Sequence, residues 1–114
     1  MNRNIIIIIF SVCGLLMSCT KDKVEASNCG GAEEVSFAAT IWPIIEQNCN
    51  GCHNSGAGGY TFDEYDRIEN NASVILDAMR ADGGIQLMPI GGPALNDSLI
   101  NAFEVWMCQG KLNN

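Results

Sequence analysis

Two cysteines and a histidine stand close together near the middle of the chain, in the string Cys49-Asn50-Gly51-Cys52-His53. The pattern C-x-x-C-H is typical of covalent haem attachment, because two thiols at this spacing can add to the two vinyl groups on one edge of a porphyrin. The next residue then offers its imidazole to the iron. The string therefore predicts one haem c, bound through Cys49 and Cys52 and ligated by His53.

The same residues admit two other chemistries. A C-x-x-C redox pair belongs in a βαβ unit, and no strand pattern is visible along the chain. A four-cysteine zinc site would combine Cys49 and Cys52 with Cys29 and Cys108. Such a site leaves His53 without a role and lacks a second closely spaced pair, so haem is the favoured hypothesis.

The second axial ligand is predicted by elimination. His53 is the only histidine, which excludes a bis-histidine haem within one chain. Met79 and Met107 fall on predicted helices, where packing in the core is the simpler role. Met88 precedes Pro89 in a predicted loop, and the residue before a proline is held extended. We expect Met88 to supply sulfur to the iron; the alternative is a methionine that covers the haem edge and leaves the iron open.

Four helical segments are expected to position these residues, and none of the chain shows convincing strand alternation. Their expected starts and ends are, in chain order, Thr40 to Cys49, Thr61 to Asn70, Ser73 to Gly83, and Asn96 to Gly110. Pro43 suits the first turn of the first helix, and Thr61 with Glu64 makes a capping-box pattern. The fold class is therefore all-α, with three or four short helices joined by glycine-rich loops. So thin a core indicates that a non-protein group fills the middle.

The N-terminal segment is predicted to be an export signal. Arg3 precedes an apolar run, from Ile5 to Leu16, that is short for a membrane span. The string Leu16-Met17-Ser18-Cys19 resembles a bacterial lipoprotein signal that is cut before Cys19, and Cys19 would then carry the lipid. The chain thus divides into a lipoprotein signal peptide (1–18), a tether (19–34) and a folded domain (35–114), exported and facing the periplasm or the cell surface.

Two cysteines remain, Cys29 and Cys108, one near each end of the exported part. Oxidising conditions outside the cytoplasm favour a disulfide between them, and two separate buried thiols are the alternative.

The chain is acidic, with a formal net charge of −7 at pH 7. This balance argues against a nucleic-acid partner and favours redox partner proteins with a basic docking face. Acidity that only keeps an exported protein soluble is the alternative.

Several short strings together resemble the class I cytochromes c, in particular the lipoprotein-type monohaem domains of Bacteroidota. They are Ile41-Trp42-Pro43-Ile44-Ile45 before the C-x-x-C-H string, Met88-Pro89 with Gly91 and Leu95, and Trp106 followed by Gly110. The resemblance covers the chain from Val35 to Gly110. It implies a small all-α fold around one haem, with the first and last helices crossing beside it, His/Met ligation and electron transfer. In such a fold Trp106 is expected on the haem-facing side of the last helix.

Two positions depart from the pattern of that family. Ile41 stands where a glycine or alanine is common at the helix crossing, so we expect a looser or shifted crossing. Tyr65 stands where a proline carbonyl usually neighbours the axial imidazole. Another carbonyl, between Gly56 and Tyr60, is expected to orient His53 instead.

Three functions are compatible with these features. The leading hypothesis is a single-electron carrier, since no nucleophile–base pair or paired catalytic carboxylates are visible. In this hypothesis Asp63, Glu64 and Asp66 belong to a helix N-terminus and its solvated face. The alternatives are a haem enzyme or gas-binding domain with an open, peroxidase-like iron site, and a lipid-anchored haem subunit of a larger redox complex.

The lipoprotein signal generates the first testable prediction. Changing Cys19→Ser removes the residue that carries the lipid, so the protein is expected to leave the membrane fraction or to keep its signal uncleaved. The same change at Cys13, inside the apolar run, is the matched control and leaves the protein membrane-bound. Fractionation and N-terminal mass spectrometry make the measurement. A wild-type protein that is soluble, with an unmodified N-terminus, would rule out the anchor.

Overall fold

A computed structural model describes residues 29–114, so the predicted signal peptide, the predicted lipidation site Cys19 and the predicted tether up to residue 28 lie outside it. Within the described range the regular structure is entirely helical, which confirms the all-α class. The α-helices are α1 (Trp42–Asn48), α2 (Asn50–His53), α3 (Tyr65–Asn70), α4 (Ala72–Arg80) and α5 (Asp97–Cys108). A π-helical turn, Phe37–Ile41, leads into α1, and two 3-10 turns span Ala57–Gly59 and Asp82–Gly84. None of these helices has the length and hydropathy to cross a bilayer.

The first helical segment begins earlier than the sequence predicts. Ser36, not Thr40, is its N-cap, and its side-chain oxygen accepts a hydrogen bond from the Ala39 N–H at 3.1 Å. The Trp42 N–H then bonds to the Phe37 carbonyl, five residues back, which makes this turn wider than an α-helical one. Because Pro43 has no N–H and its ring crowds the preceding turn, the wider turn lets the helix continue through the proline.

The starts of the middle two helices also differ from the prediction. Thr61 and Glu64 form no capping box: Glu64 is the N-cap of α3 without a side-chain cap bond, and its carboxylate instead pairs with Arg67 at 3.0 Å. Helix α4 starts at Ala72, which places Ser73 inside its first turn. It ends at Arg80, before Gly83, because Ala81 already takes the left-handed conformation at φ 57°.

Helix α5 matches the prediction at both ends. The Asn96 side chain accepts a hydrogen bond from the Ser98 N–H at 2.9 Å, as an N-cap should. At the other end Gly110 has φ 89°, a conformation that suits glycine. The Lys111 N–H reaches back to the Trp106 carbonyl at 2.9 Å, which completes a Schellman motif.

The core is built from the first helical segment, α3, α4 and α5. Five of its side chains have no solvent exposure: Ile41, Ile45, Ile68, Phe103 and Trp106. Trp106 also satisfies its indole N–H, which donates to the Leu112 carbonyl at 2.9 Å. Helix α5 contacts both the Phe37–Ile41 turn and α4, so the first and last helical segments meet even though Ile41 is a large residue.

The two ends of the described chain are fastened together. Cys29 and Cys108 form a disulfide with their Cα atoms 5.8 Å apart, as predicted. The buried Gln109 side chain donates to the Glu33 carbonyl and accepts from the Val35 N–H, both at 2.8 Å. The Asn114 carbonyl accepts the Ala38 N–H at 2.9 Å. Residues 29–34, predicted as the end of the tether, are thus held against the end of α5.

The disulfide yields a stability prediction. It closes a span of 79 residues, and the chain-entropy model gives such a bridge roughly 4 kcal/mol. Cys29→Ser should therefore clearly lower the midpoint of thermal unfolding. The visible absorption spectrum of the predicted haem should stay nearly unchanged, because the bridge lies outside the predicted haem ligands. The titration uses exported protein whose mass includes one haem, in which Cys49 and Cys52 are expected as thioethers and Cys19 as the acylated residue. Unfolded and unreduced, this protein should show no free thiol, and two reactive thiols in it would contradict the bridge.

Candidate functional site

One helical turn brings Cys49, Cys52 and His53 together. The Cys49 carbonyl accepts hydrogen bonds from the Cys52 N–H at 3.1 Å and from the His53 N–H at 2.8 Å. Residues three and four positions apart in a helix are neighbours on its surface, so the side chains of Cys52 and His53 both lie next to that of Cys49. All three line the same cleft, and neither cysteine of the pair is in a disulfide.

The cleft has a volume of about 340 Å³, within the range of small-molecule and cofactor sites. Its lining comes from two stretches of chain, 48–62 and 74–95, and is predominantly apolar. Besides two methionines, the second stretch contributes Val74, Ile75, Ala78, Ile85, Pro89, Ile90 and Leu95. No Asp, Glu, Lys or Arg side chain is among the lining residues. The cleft therefore suits a large apolar group more than a charged substrate.

The imidazole of His53 is held by the short segment that follows it. Its Nδ1–H donates to the Tyr60 carbonyl oxygen at 3.3 Å, which leaves Nε2 with a free lone pair. The expectation that a carbonyl between Gly56 and Tyr60 orients His53 is confirmed. Gly58 has φ 63°, and a Cβ there would lie 4.0 Å from His53 Cε1. The glycine-rich loop thus passes close beside the ring without a side chain in between.

Two methionines line the cleft, where the sequence predicts one. Met88 is half-buried, and its N–H donates to the Ala78 carbonyl at 2.9 Å, which ties its loop to α4. Met79, predicted as a core residue, is only 3% exposed but also reaches the cleft from α4. Met107 is not among the lining residues, in agreement with its expected role in packing.

Trp106 lies elsewhere than expected. The sequence predicts it on the haem-facing side of the last helix, but it does not line the cleft. Its ring packs in an aromatic cluster with Phe37, Tyr65 and Phe103, with centroid distances of 5.3–6.4 Å. Phe62 was not predicted as a site residue, but it lines the cleft and contacts the ring of His53. The one hint in the sequence is its position, since it is an aromatic residue just after the glycine-rich loop.

The alternative chemistries of the cysteine pair find little support. Cys29 and Cys108 are consumed by their disulfide, so they cannot complete a four-cysteine zinc site with Cys49 and Cys52. Residues 29–114 contain no cluster of three or more His, Cys, Asp or Glu side chains placed to hold a metal ion between them. Burial raises the pKa of the Cys49 thiol to about 11, which keeps it protonated and makes it a poor redox nucleophile.

The acidic residues near the site face solvent. Asp63 and Glu64 pair with Arg67 at 2.8 and 3.0 Å, and neither they nor Asp66 line the cleft. This agrees with their assignment to a helix N-terminus and its solvated face.

Comparison with known protein families, with curated proteins and with solved structures found no match. The interpretation of the cleft therefore depends on its own residues. The donor set fits a c-type haem: two unpaired thiols and an imidazole with one free nitrogen lie on one turn, in a cleft that also holds thioether sulfur.

This donor set predicts covalent attachment of haem. In protein produced with an active haem-attachment system, the mass should exceed that of the polypeptide by one haem, and acid-acetone should extract none. Changing Cys49→Ser and Cys52→Ser together should leave only extractable haem, because no thiol remains to form a thioether. Fully extractable haem in the wild type, or bound zinc in its place, would contradict the assignment.

Proposed function

We propose that this protein is an exported single-electron carrier that holds one haem c covalently through Cys49 and Cys52, with His53 and Met88 as axial ligands. The observation that carries the proposal is the shared turn that directs both thiols and the imidazole into one apolar cleft. The bound haem supplies the chemistry, one-electron cycling of its iron between Fe(II) and Fe(III). The chain supplies attachment, ligands and a predominantly apolar environment.

The positions of the side chains support the proposed attachment and ligation roles. Cys49 and Cys52 lie three residues apart on a helical turn, the spacing that two thioether links to one porphyrin edge require. The Tyr60 carbonyl holds the Nδ1–H of His53, which fixes the tautomer and leaves Nε2 to coordinate. Met88 brings a thioether, a ligand that raises the reduction potential relative to stronger donors.

The character of the cleft favours electron transfer over haem-based catalysis. A peroxidase-like reaction needs an open iron position and a distal acid–base group. The one histidine is on the turn with the cysteines, and no carboxylate lines the cleft. Two methionine sulfurs, in contrast, are available to fill the sixth position. A chain that fills both axial positions, with no carboxylate and no second histidine at the cleft, is suited to moving electrons alone.

The excess of acidic side chains on the surface of this protein favours redox partners that have a basic docking face. The described part of the chain has three lysine or arginine residues, and all are in ion pairs: Arg67 with Asp63 and Glu64, Arg80 with Glu104, and Lys111 with Glu69. The remaining carboxylates carry the excess negative charge. Redox partners with a basic docking face are therefore proposed, and nucleic acid is not. The membrane, reached through a lipid on Cys19, completes the proposed setting.

Ligation by Met88 generates the next prediction. Met88→Ala should abolish the weak far-red band of sulfur-to-iron charge transfer in the ferric protein and lower the midpoint potential, since the thioether is lost. Absorption spectroscopy and a potentiometric titration make the measurement.

Met79→Ala is the matched control, because it removes a second thioether that lines the same cleft. It should keep the far-red band. The opposite pattern, with the band lost in Met79→Ala and kept in Met88→Ala, would transfer the ligand role to Met79.

A further inference from the structure

The ring of Phe62 lies against the ring of His53. Their centroids are 5.0 Å apart and their planes are inclined by 36°. Phe62 is 6% exposed, and both rings line the cleft. The contact therefore joins a fixed, buried aromatic residue to the imidazole that the proposed function assigns to the iron.

The backbone holds Phe62 in this position. Its N–H donates to the His53 carbonyl oxygen at 2.9 Å, so the same residue contacts both the main chain and the side chain of His53. Its second aromatic partner is Tyr60, whose ring is stacked on it with centroids 6.0 Å apart and planes inclined by 28°. The loop from His53 to Phe62 is thus closed by one backbone bond and braced by two aromatic contacts.

The hydrogen bond to Tyr60 and the ring contact act on different motions of the imidazole. The bond from Nδ1–H sets the direction of one ring nitrogen, but at 3.3 Å it is long and leaves room for rocking about that direction. A ring packed against the imidazole limits this rocking. Gly58, the other close neighbour, has no side chain that could take over the task.

We propose that Phe62 is a positioning residue that fixes the plane of the His53 imidazole relative to the haem. The inference rests on the proposed function, since it concerns the axial ligand. In a ferric haem the orientation of the axial imidazole plane governs how the unpaired electron spreads over the porphyrin. The four haem methyl groups report that distribution directly through their paramagnetic NMR shifts, independently of any electron-transfer activity.

Phe62→Leu is the test, and Phe37→Leu is its matched control. The two phenylalanines have similar burial, 6% and 8% exposed, but Phe37 packs on Trp42, Tyr65 and Trp106 and does not line the cleft. Phe62→Leu should change the spread and order of the ferric methyl shifts, whereas Phe37→Leu should lower stability and keep the wild-type pattern. Phe62→Tyr retains the ring and should restore that pattern.

Each outcome decides the proposal. Equal shift patterns in Phe62→Leu and Phe37→Leu would overturn it, and so would a Phe62→Tyr spectrum that departs as far as that of Phe62→Leu. If the leucine variant does not fold, Phe62→Ile, which also removes the ring and adds no iron ligand, takes its place beside Phe62→Tyr. A wild-type protein without covalent haem would instead refute the proposed function, and mass spectrometry identifies that case before any variant is compared.

Discussion

The turn from Cys49 to His53 is the constraint around which the rest of the domain is organised. A single carbonyl, that of Cys49, accepts the N–H groups of both Cys52 and His53, and this pair of bonds aligns two thiols and an imidazole. The preceding helix α1 fixes where the turn starts, since the Cys49 N–H is bonded to the Ile45 carbonyl at 2.8 Å. Ile45 itself is fully buried, so the position of the turn is fixed by the core.

The rest of the fold supplies the opposite side of the cleft and keeps it in place. Helix α4 and the loop after it provide the second stretch of lining, and α4 packs on α5. Helix α5 in turn contacts the Phe37–Ile41 turn that leads into α1. The disulfide and the side chain of Gln109 lock the end of α5 to the residues before that turn. Since small domains bury little apolar surface, a covalently held apolar group and a disulfide together would compensate for a thin core.

The sequence predicts most of what local chemistry controls. The helical class, both ends of α5, the disulfide and the carbonyl that faces His53 were predictable, because caps, glycine stops and cysteine pairing act over short or covalent distances. The start of the first helical segment was not, since nothing in the sequence before Pro43 marks Phe37–Ile41 as a π-helical turn. Tertiary packing also decided that Met79 reaches the cleft and that Trp106 does not. Phe62 was not predictable as a site residue, because nothing in its spacing distinguishes a core aromatic residue from one that contacts a ligand.

The central claim is that the chain holds one haem covalently and occupies both axial positions of its iron. The absorption spectrum of the intact, dithionite-reduced wild type, recorded before and after addition of carbon monoxide, tests it most directly. A carrier ligated by His53 and Met88 should give the sharp reduced bands of a low-spin c-type haem, unchanged by the gas. A spectrum that shifts at once to a carbon monoxide adduct would show an open iron and contradict the account.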